Sequence, residues 1–361
     1  MILFRSASRS SRKPLRQISE SIGKLAASVA RVDNYSSVAP AEQRLAGQVA
    51  IITGGASGIG ARTARLFTEQ GARVVIADVQ ASLAEKLVKE LGPKAEFVHC
   101  DVRKEEDIVK AWDRAYSLEK RLDVVFNNAG IIGALGPLYE LPIEEFDATM
   151  AANLRGAVLG VKHAARLMIP AGNGSIVCTS SVAGLTGGLC AFSYSTSKGA
   201  IIAMVKCAAA ELRRFGIRVN AISPDLIATP MGLDLVRAMT GDGGTFDIGG
   251  AQKIGTDAEH STVTSAPKDE TESGSMTMDT LSQLIKQQSL IVGRSCSDVD
   301  VANAVLYLAS DTGGYVTGQN LVIDGGRGTL KLVDPESNAW ATKYQPMFNV
   351  AGQRGLQATI K

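Results

Sequence analysis

The run from Gln48 to Thr53 is a short, continuous apolar stretch that reads as a buried strand. It opens directly into Gly54-Gly55-Ala56-Ser57-Gly58-Ile59-Gly60 and then a helical pattern over Ala61–Gln70. A strand, a glycine-rich turn and a helix in that order form the dinucleotide-binding arrangement, which requires parallel-sheet packing around it. Gly54 allows the tight turn, Gly58 lets the backbone approach a pyrophosphate and Gly60 permits close helix–strand packing. The helix N-terminus offers unpaired N–H groups to the anion. Gly54, Ser57, Gly58, Ile59 and Gly60 are therefore the candidate phosphate-binding residues. A second apolar strand, Arg73 to Ala77, ends at Asp78, roughly twenty residues past the glycines, where a carboxylate is expected to take a ribose 2′-hydroxyl.

Strands and helices alternate along the rest of the chain. Helical patterns lie near Ser82–Leu91, Glu105–Leu118, Glu144–Met168, Tyr194–Phe215 and Val299–Ala309. Strands are expected at Ala95–His99, Asp123–Phe126, Ser175–Cys178, Ile217–Ile222 and Leu321–Ile323. This alternation predicts an α/β fold with a Rossmann-type doubly wound parallel sheet. One domain of about 280 residues, from 45 to 326, is a normal size for it. Between Pro230 and Ser297 lies an insertion (lid residues 231–297) whose Thr240–Ser275 stretch is rich in Gly, Ser, Thr and Asp. That composition favours disorder, and a helix near Asp279–Gln288 would resume the lid. The stretch reads either as an enlarged lid or as an artefact of gene modelling.

Chemistry enters with Tyr194 and Lys198, four residues apart at the start of a run of good helix formers, and so on one helix face. A free phenol has a pKa of about 10, and a nearby cation lowers it. Ser181, thirteen residues upstream at the end of an apolar run, can supply a hydroxyl to a substrate oxygen. Many exposed helices carry a Tyr-x-x-x-Lys spacing by chance. Here it accompanies Thr53-Gly54-x-x-x-Gly58-x-Gly60, Asn127-Asn128-Ala129-Gly130 after a strand, Asn153 and Ser181, in that order. Taken together, Leu45 to Gly326 resembles the short-chain dehydrogenase/reductase family, and most of all its plant alcohol dehydrogenases.

The resemblance implies reversible hydride transfer between a secondary alcohol and a nicotinamide cofactor. Tyr194 would be the general base, Ser181 (rather than its neighbour Ser180) the holder of the substrate oxygen, and Lys198 both an electrostatic partner of Tyr194 and a ligand of the nicotinamide ribose. Asn153 would position a water in a proton relay. The resemblance also implies that Asp101 and Val102 contact the adenine, that Asn128, Ala129 and Gly130 line the cofactor floor, and that Ile227 and Thr229 face the carboxamide. One departure stands out: the family usually has Pro-Gly after the strand near Ile222, whereas this chain has Pro224-Asp225.

NAD is expected over NADP, because the Asp78 carboxylate would repel a 2′-phosphate and Gly55, Ala56 and Ser57 are all neutral. Ile131, Ile132, Leu135, Val182, Leu185, Leu189 and Met231 are the expected apolar walls of a substrate site, which suit a terpenoid, sterol-like or phenolic alcohol. Two other readings remain at this point: an NAD-binding scaffold or regulator without catalysis, and an NADP-dependent ketone reductase.

Composition narrows the partners. A net charge of +2 gives no case for a nucleic-acid surface, and 45% hydrophobic with 20% charged residues describes a soluble chain with an ample core. Cys100, Cys178, Cys190, Cys207 and Cys296 lack paired spacing and read as reduced thiols in a core. The three histidines, His99, His163 and His260, lack metal-ligand neighbours, so no metal is expected. No apolar run is long enough to span a membrane. At the N-terminus Arg5, Arg9, Arg12 and Arg16 would share one helix face and Ile18, Ile22, Leu25 and Val29 another; Glu20 is the only acid before Asp33. Residues 1–44 read as an organelle transit peptide, mitochondrial rather than chloroplast, or else as a disordered basic tail of a cytoplasmic protein. Residues 327–361 form a tail outside the family pattern. The family resemblance further implies a homotetramer.

Overall fold

The computed structural model describes residues 43–240, 276–287, 289, 291 and 294–328. The chain divides into two units, Met1–Arg44 and Leu45–Lys361, and every element described below belongs to the second. Seven strands form one parallel sheet in the order β3-β2-β1-β4-β5-β6-β7. They are β1 (Val49–Thr53), β2 (Arg73–Asp78), β3 (Ala95–His99), β4 (Val124–Asn127), β5 (Gly174–Thr179), β6 (Ile217–Pro224) and β7 (Asn320–Ile323). The helices are α1 (Gly58–Glu69), α2 (Ala81–Leu91), α3 (Glu105–Glu119), α4 (Ile143–Met150), α5 (Gly156–Met168), α6 (Phe192–Leu212), α7 (Pro230–Thr240), α8 (Met278–Gln287) and α9 (Asp298–Ala309).

The central strands β1, β4 and β5 are fully buried because both faces of the sheet are covered, whereas the edge strands β3 and β7 are only partly buried. Side chains alternate across a strand, so β1 sends Val49 and Ile51 into one core and Ala50 and Ile52 into the other. On the first face Ile108 and Trp112 of α3, Met168 of α5 and Ile201 and Val205 of α6 cover the sheet. On the second, Phe67 of α1, Leu87 of α2 and Val305 and Leu306 of α9 do so. Strand order reverses between β1 and β4, which opens a crevice outside the carboxyl ends of those strands.

Two expectations need correction. The single helix expected over Glu144–Met168 is three pieces, since α4 and α5 are joined by a π-helical segment, Ala151–Arg155, that contains Asn153. The residue pattern hides this because helical spacing continues across the segment; a tertiary contact of Asn153, described below, accompanies the widened turn. The cysteines are not uniformly core residues either: Cys100 and Cys178 are buried, Cys190 and Cys296 half-buried and Cys207 exposed.

Of the expected lid, α7 and α8 are described, and they pack through Leu233, Val236 and Leu281. The Thr240–Ser275 composition, the transit-peptide reading and nearly all of the expected C-terminal tail fall outside the described residues. Among the described residues, no helix is long and apolar enough to cross a membrane, and no group of three His, Cys, Asp or Glu could hold a metal ion.

Candidate active site

The glycine turn is built by exclusion. Gly54 has φ +60, and a Cβ there would lie 2.9 Å from the Ala129 Cα; a Cβ on Gly60 would lie 2.0 Å from the Gly54 carbonyl oxygen. Gly60 therefore permits the turn to fold against the first turn of α1, a closer approach than the helix–strand packing expected from sequence. Gly58, at φ +50, faces the methyl of Thr229, which a Cβ would approach to 3.4 Å. α1 begins after Ser57 with no side-chain cap and no acidic residue in its first turn, so its leading N–H groups keep their capacity for an anion. That geometry fits the pyrophosphate of a dinucleotide.

Asp78 closes β2 and is 4% exposed. Its Oδ2 accepts the Ala56 N–H at 2.9 Å and its Oδ1 the Gln80 N–H at 2.9 Å. Each oxygen retains one lone pair, enough for a pair of hydroxyl donors. Asp101 is committed elsewhere: Arg103 grips both of its oxygens from 2.8 to 3.1 Å. Burial pushes its carboxyl up, but the Arg103 hydrogen bonds prevail and hold it below the usual range. Val102 packs on Gly156, where a Cβ would lie 3.0 Å from it. The Asp101 carboxylate is thus held by arginine.

Asn128, expected on the cofactor floor, is a clamp. Its amide donates to the carbonyls of Thr53 at 3.2 Å and Gly54 at 3.1 Å, and its Oδ1 accepts from the Thr179 hydroxyl at 3.2 Å. One side chain thereby joins the ends of β1, β4 and β5. Thr53 completes the tie, since its Oγ accepts the N–H groups of Asn128 and Ala129 at 2.9 and 3.1 Å. Nothing in the sequence singled out Thr53 for this, because its role depends on the neighbouring strand.

Ser181, Tyr194 and Lys198 converge at the carboxyl end of β5. Ser181 caps a short turn by accepting the Ala183 N–H at 3.2 Å, and its hydroxyl is near enough to the Tyr194 phenol to favour the phenolate. Ser180 points away, donating to the Lys198 carbonyl at 2.7 Å and pinning α6 to β5. The Lys198 ammonium lies 5.4 Å from the centre of the Tyr194 ring and donates to the Thr179 carbonyl at 2.8 Å. Asn153 is buried and spent: its amide donates to the Ile131 carbonyl at 2.9 Å and the Ser197 hydroxyl at 2.9 Å, and its Oδ1 accepts the Ile131 N–H at 2.8 Å.

The electrostatics correct one expectation. Lys198 is expected from sequence to lower the phenol pKa, yet in the protein alone Tyr194 is raised above the ordinary phenol value, chiefly by burial and then by the Cys190 thiol, with the Ser181 hydrogen bond acting in the opposite sense. Tyr194 keeps some exposed surface, but enough protein surrounds it to strip water from a phenolate, and this desolvation dominates. Lys198 itself is lowered to about 8 by burial, against smaller upward effects of Cys178 and Cys190.

Ile227 and Thr229 are buried beside the glycine turn. Asp225, the unusual residue, forms an ion pair with Arg327 at 2.6 Å. A cavity of about 200 Å³ opens next to this pair, lined by Asp225, Leu226, Ile285, Arg294, Cys296 and Arg327, and Tyr194 does not line it. Among the expected apolar walls Ile132 and Val182 are buried, Ile131 and Leu135 half-buried, and Leu185, Leu189 and Met231 exposed at 47%, 40% and 40%. Leu138, Tyr139, Ile143 and Phe192, not anticipated, are exposed apolar side chains too, and Phe192 of α6 packs its ring on Phe146 of α4 at 6.4 Å.

Residues 48–239 match the family model described as short chain dehydrogenase, and residues 264–327 match that described as Enoyl-(Acyl carrier protein) reductase. Momilactone A synthase of Oryza sativa subsp. japonica is 42% identical over 81% of this chain and 93% of its own length. Sex determination protein tasselseed-2 of Zea mays is 42% identical over 80% of this chain and 83% of its own. Among solved structures, levodione reductase superposes with a TM-score of 0.65 at 27% identity, covering 80% of this chain and all of its own.

Proposed function

This chain belongs to the short-chain dehydrogenase/reductase family of oxidoreductases, and from that premise we propose that it is an NAD-dependent dehydrogenase interconverting a secondary alcohol and a ketone on an apolar substrate. The observation that carries the reading is the convergence of the Ser181 hydroxyl, the Tyr194 phenol and the Lys198 ammonium beside a glycine turn shaped for a pyrophosphate.

The nicotinamide, when bound, supplies the hydride acceptor and a positive charge. The turn's backbone N–H groups hold the pyrophosphate, and Asp78 takes the ribose hydroxyls on its two remaining lone pairs. Ser181 orients the substrate oxygen: its Oγ accepts the Ala183 N–H, which leaves its own proton to donate. Tyr194, as phenolate, would take the hydroxyl proton while hydride leaves the carbinol carbon; the positive charges of Lys198 and of the bound nicotinamide would favour that phenolate, and its own proton would leave by way of Lys198. Lys198 keeps ammonium protons beyond the one given to Thr179, which suit a ribose hydroxyl and a relay to solvent. Both Asn153 amide hydrogens are spent. A relay water near it must therefore rest on Oδ1 or on a carbonyl of the π-helical segment, a common place for functional distortion of a helix. The exposed Leu185, Leu189, Phe192 and Met231 favour a terpenoid, sterol-like or phenolic alcohol over a sugar.

Turnover with a panel of hydrophobic and polar secondary alcohols, each with NAD and with NADP, tests this reading. Oxidation of apolar members with NAD is expected; turnover confined to sugars or to NADP would overturn the corresponding part. Import into an organelle, the mitochondrion first, is proposed from the arginine-rich face of residues 1–44. A fluorescent fusion of those residues that stays in the cytosol would defeat that part.

A further inference from the structure

Family members usually carry glycine where this chain has Asp225, and the structure gives the carboxylate a full set of partners. The Asp225 N–H donates to the Ile323 carbonyl at 3.0 Å, extending the β6–β7 ladder by one residue. Its Oδ1 accepts the Leu226 N–H at 2.8 Å and its Oδ2 the Arg327 Nε at 2.6 Å. Arg327 is itself presented by a turn that Asp324 organises: the Asp324 carboxylate accepts the N–H groups of Gly326 at 2.8 Å and Gly328 at 2.6 Å, and its carbonyl accepts the Arg327 N–H at 3.2 Å. The other cation beside this cavity, Arg294, pairs with Asp300.

The segment that Asp225 begins leads straight to the cofactor cleft. Ile227 and Thr229 are buried, the Thr229 hydroxyl accepts the Gly232 N–H at 3.2 Å to start α7, and the Thr229 methyl lies over Gly58. A shift at Asp225 is therefore carried through four residues to the glycine turn.

We propose that Asp225 and Arg327 are a positioning pair that fixes the Leu226–Thr229 segment over the glycine turn, so that the chain emerging from β7 helps to set dinucleotide affinity. The proposal rests on the dinucleotide-binding reading above. Neither residue touches the reacting atoms. A glycine in place of Asp225 would remove the side-chain tether at the start of the segment, and a carboxylate without Arg327 would leave a partly buried charge unbalanced. The pair is partly exposed, with side-chain exposures of 18% and 32%, so its effect is modest.

The test uses the full chain with Asp225→Asn, Arg327→Ala, Arg327→Lys and a double variant that carries both Asp225→Asn and Arg327→Ala. NAD affinity is read by calorimetry, and backbone exchange of Leu226–Gly232 by hydrogen–deuterium mass spectrometry without nucleotide. Asp225→Asn and Arg327→Ala are expected to weaken NAD binding about two- to fivefold, to raise the KM for NAD with kcat nearly unchanged, and to speed exchange in that segment. Arg327→Lys is expected to retain most of the affinity, and the double variant to be no worse than either single one. Unchanged affinity and exchange in both single variants, or strictly additive losses, would overturn the pair. If the unaltered protein binds neither NAD nor NADP, the dinucleotide reading fails together with the affinity half of the proposal. The exchange data then decide the latch alone: faster exchange supports it and unchanged exchange removes it.

Discussion

Tyr194 is the residue on which the proposed chemistry turns. Its pKa is raised above the ordinary value, chiefly by burial, so the protein alone holds it protonated. Tyr194→Phe is expected to lower kcat by at least about a hundredfold, the lower end of a general-base contribution, while NAD affinity stays nearly constant. Retention of more than about a tenth of the activity would contradict the assignment. Lys198 carries a stability cost that follows from the same burial. Its folded value of about 8 lies below the ordinary 10.5, so between those values the unfolded chain binds more protons, and stability rises with pH across the window. Above about pH 10 the raised Tyr194 opposes this, because the unfolded phenol ionises first. Lys198→Met removes the cost but strands the Thr179 carbonyl. It should stabilise the fold by on the order of 1 kcal/mol at pH 7, a gain that disappears as pH approaches 10, while abolishing turnover. Denaturant unfolding of both proteins from pH 7 to 10 checks the trend; a loss of stability at pH 7 would show that the ammonium is better compensated than its burial implies. Asp78 selects the cofactor in this scheme, so Asp78→Ala combined with Ser57→Arg is expected to shift kcat/KM from NAD toward NADP. Because Asp78 also accepts the Ala56 and Gln80 N–H groups, the same change should lower the Tm, which differential scanning fluorimetry would reveal.

At the scale of elements, the π-helical segment does the positioning. Asn153 links it to both the N–H and the carbonyl of Ile131 and to Ser197 on α6, so the loop after β4 and the helix bearing Tyr194 share one anchor. Asn153→Ala removes three hydrogen bonds, one buried and two partly buried, and takes the side-chain partners from Ile131. A loss of about 2–4 kcal/mol in unfolding free energy is expected, together with a fall in kcat; a change under about 0.5 kcal/mol would mean that water replaces the amide. The sequence could not show this anchor, since a π turn inside a helical pattern changes no residue spacing. The same limit applied to Thr53 and Ser180, whose partners lie on other strands and helices, and to the direction of the Tyr194 shift, which depends on how much protein surrounds the phenol. What did show in the sequence was whatever is encoded locally. The core of β1, β2 and β4 is a contiguous apolar run because both sheet faces are covered there. The glycines at 54 and 60 mark a turn that admits no Cβ, Gly58 adds a left-handed φ, and Asp78 falls at the end of the next strand.

At the scale of the whole molecule, α6 poses a problem that one subunit does not solve. Ser197, Ile201, Val205, Ala209 and Leu212 form its buried face on the sheet. The rest of the helix would ordinarily be polar if it met water, yet Ala203, Cys207 and Ala210 are exposed, Ile202, Met204 and Ala208 are only partly covered, and α5 beside it exposes Val158. Small residues in this pattern let a second helix approach closely, and a two-fold axis would bring the same face of another copy against it. Ile201 and Leu212 belong to the sheet side, while Ala200, Met204 and Ala208 flank the outer face. A homo-oligomer built on α5 and α6, a tetramer in the family's manner, would also brace the helix that carries Tyr194 and Lys198. Light scattering at micromolar concentration is expected to give a mass above that of one chain, and Ala203→Glu with Ala210→Glu to reduce it, together with a lower Tm and reduced kcat. A stable, fully active monomer of the unaltered protein would remove the oligomer and leave the apolar outer face of α6 to be explained by another partner.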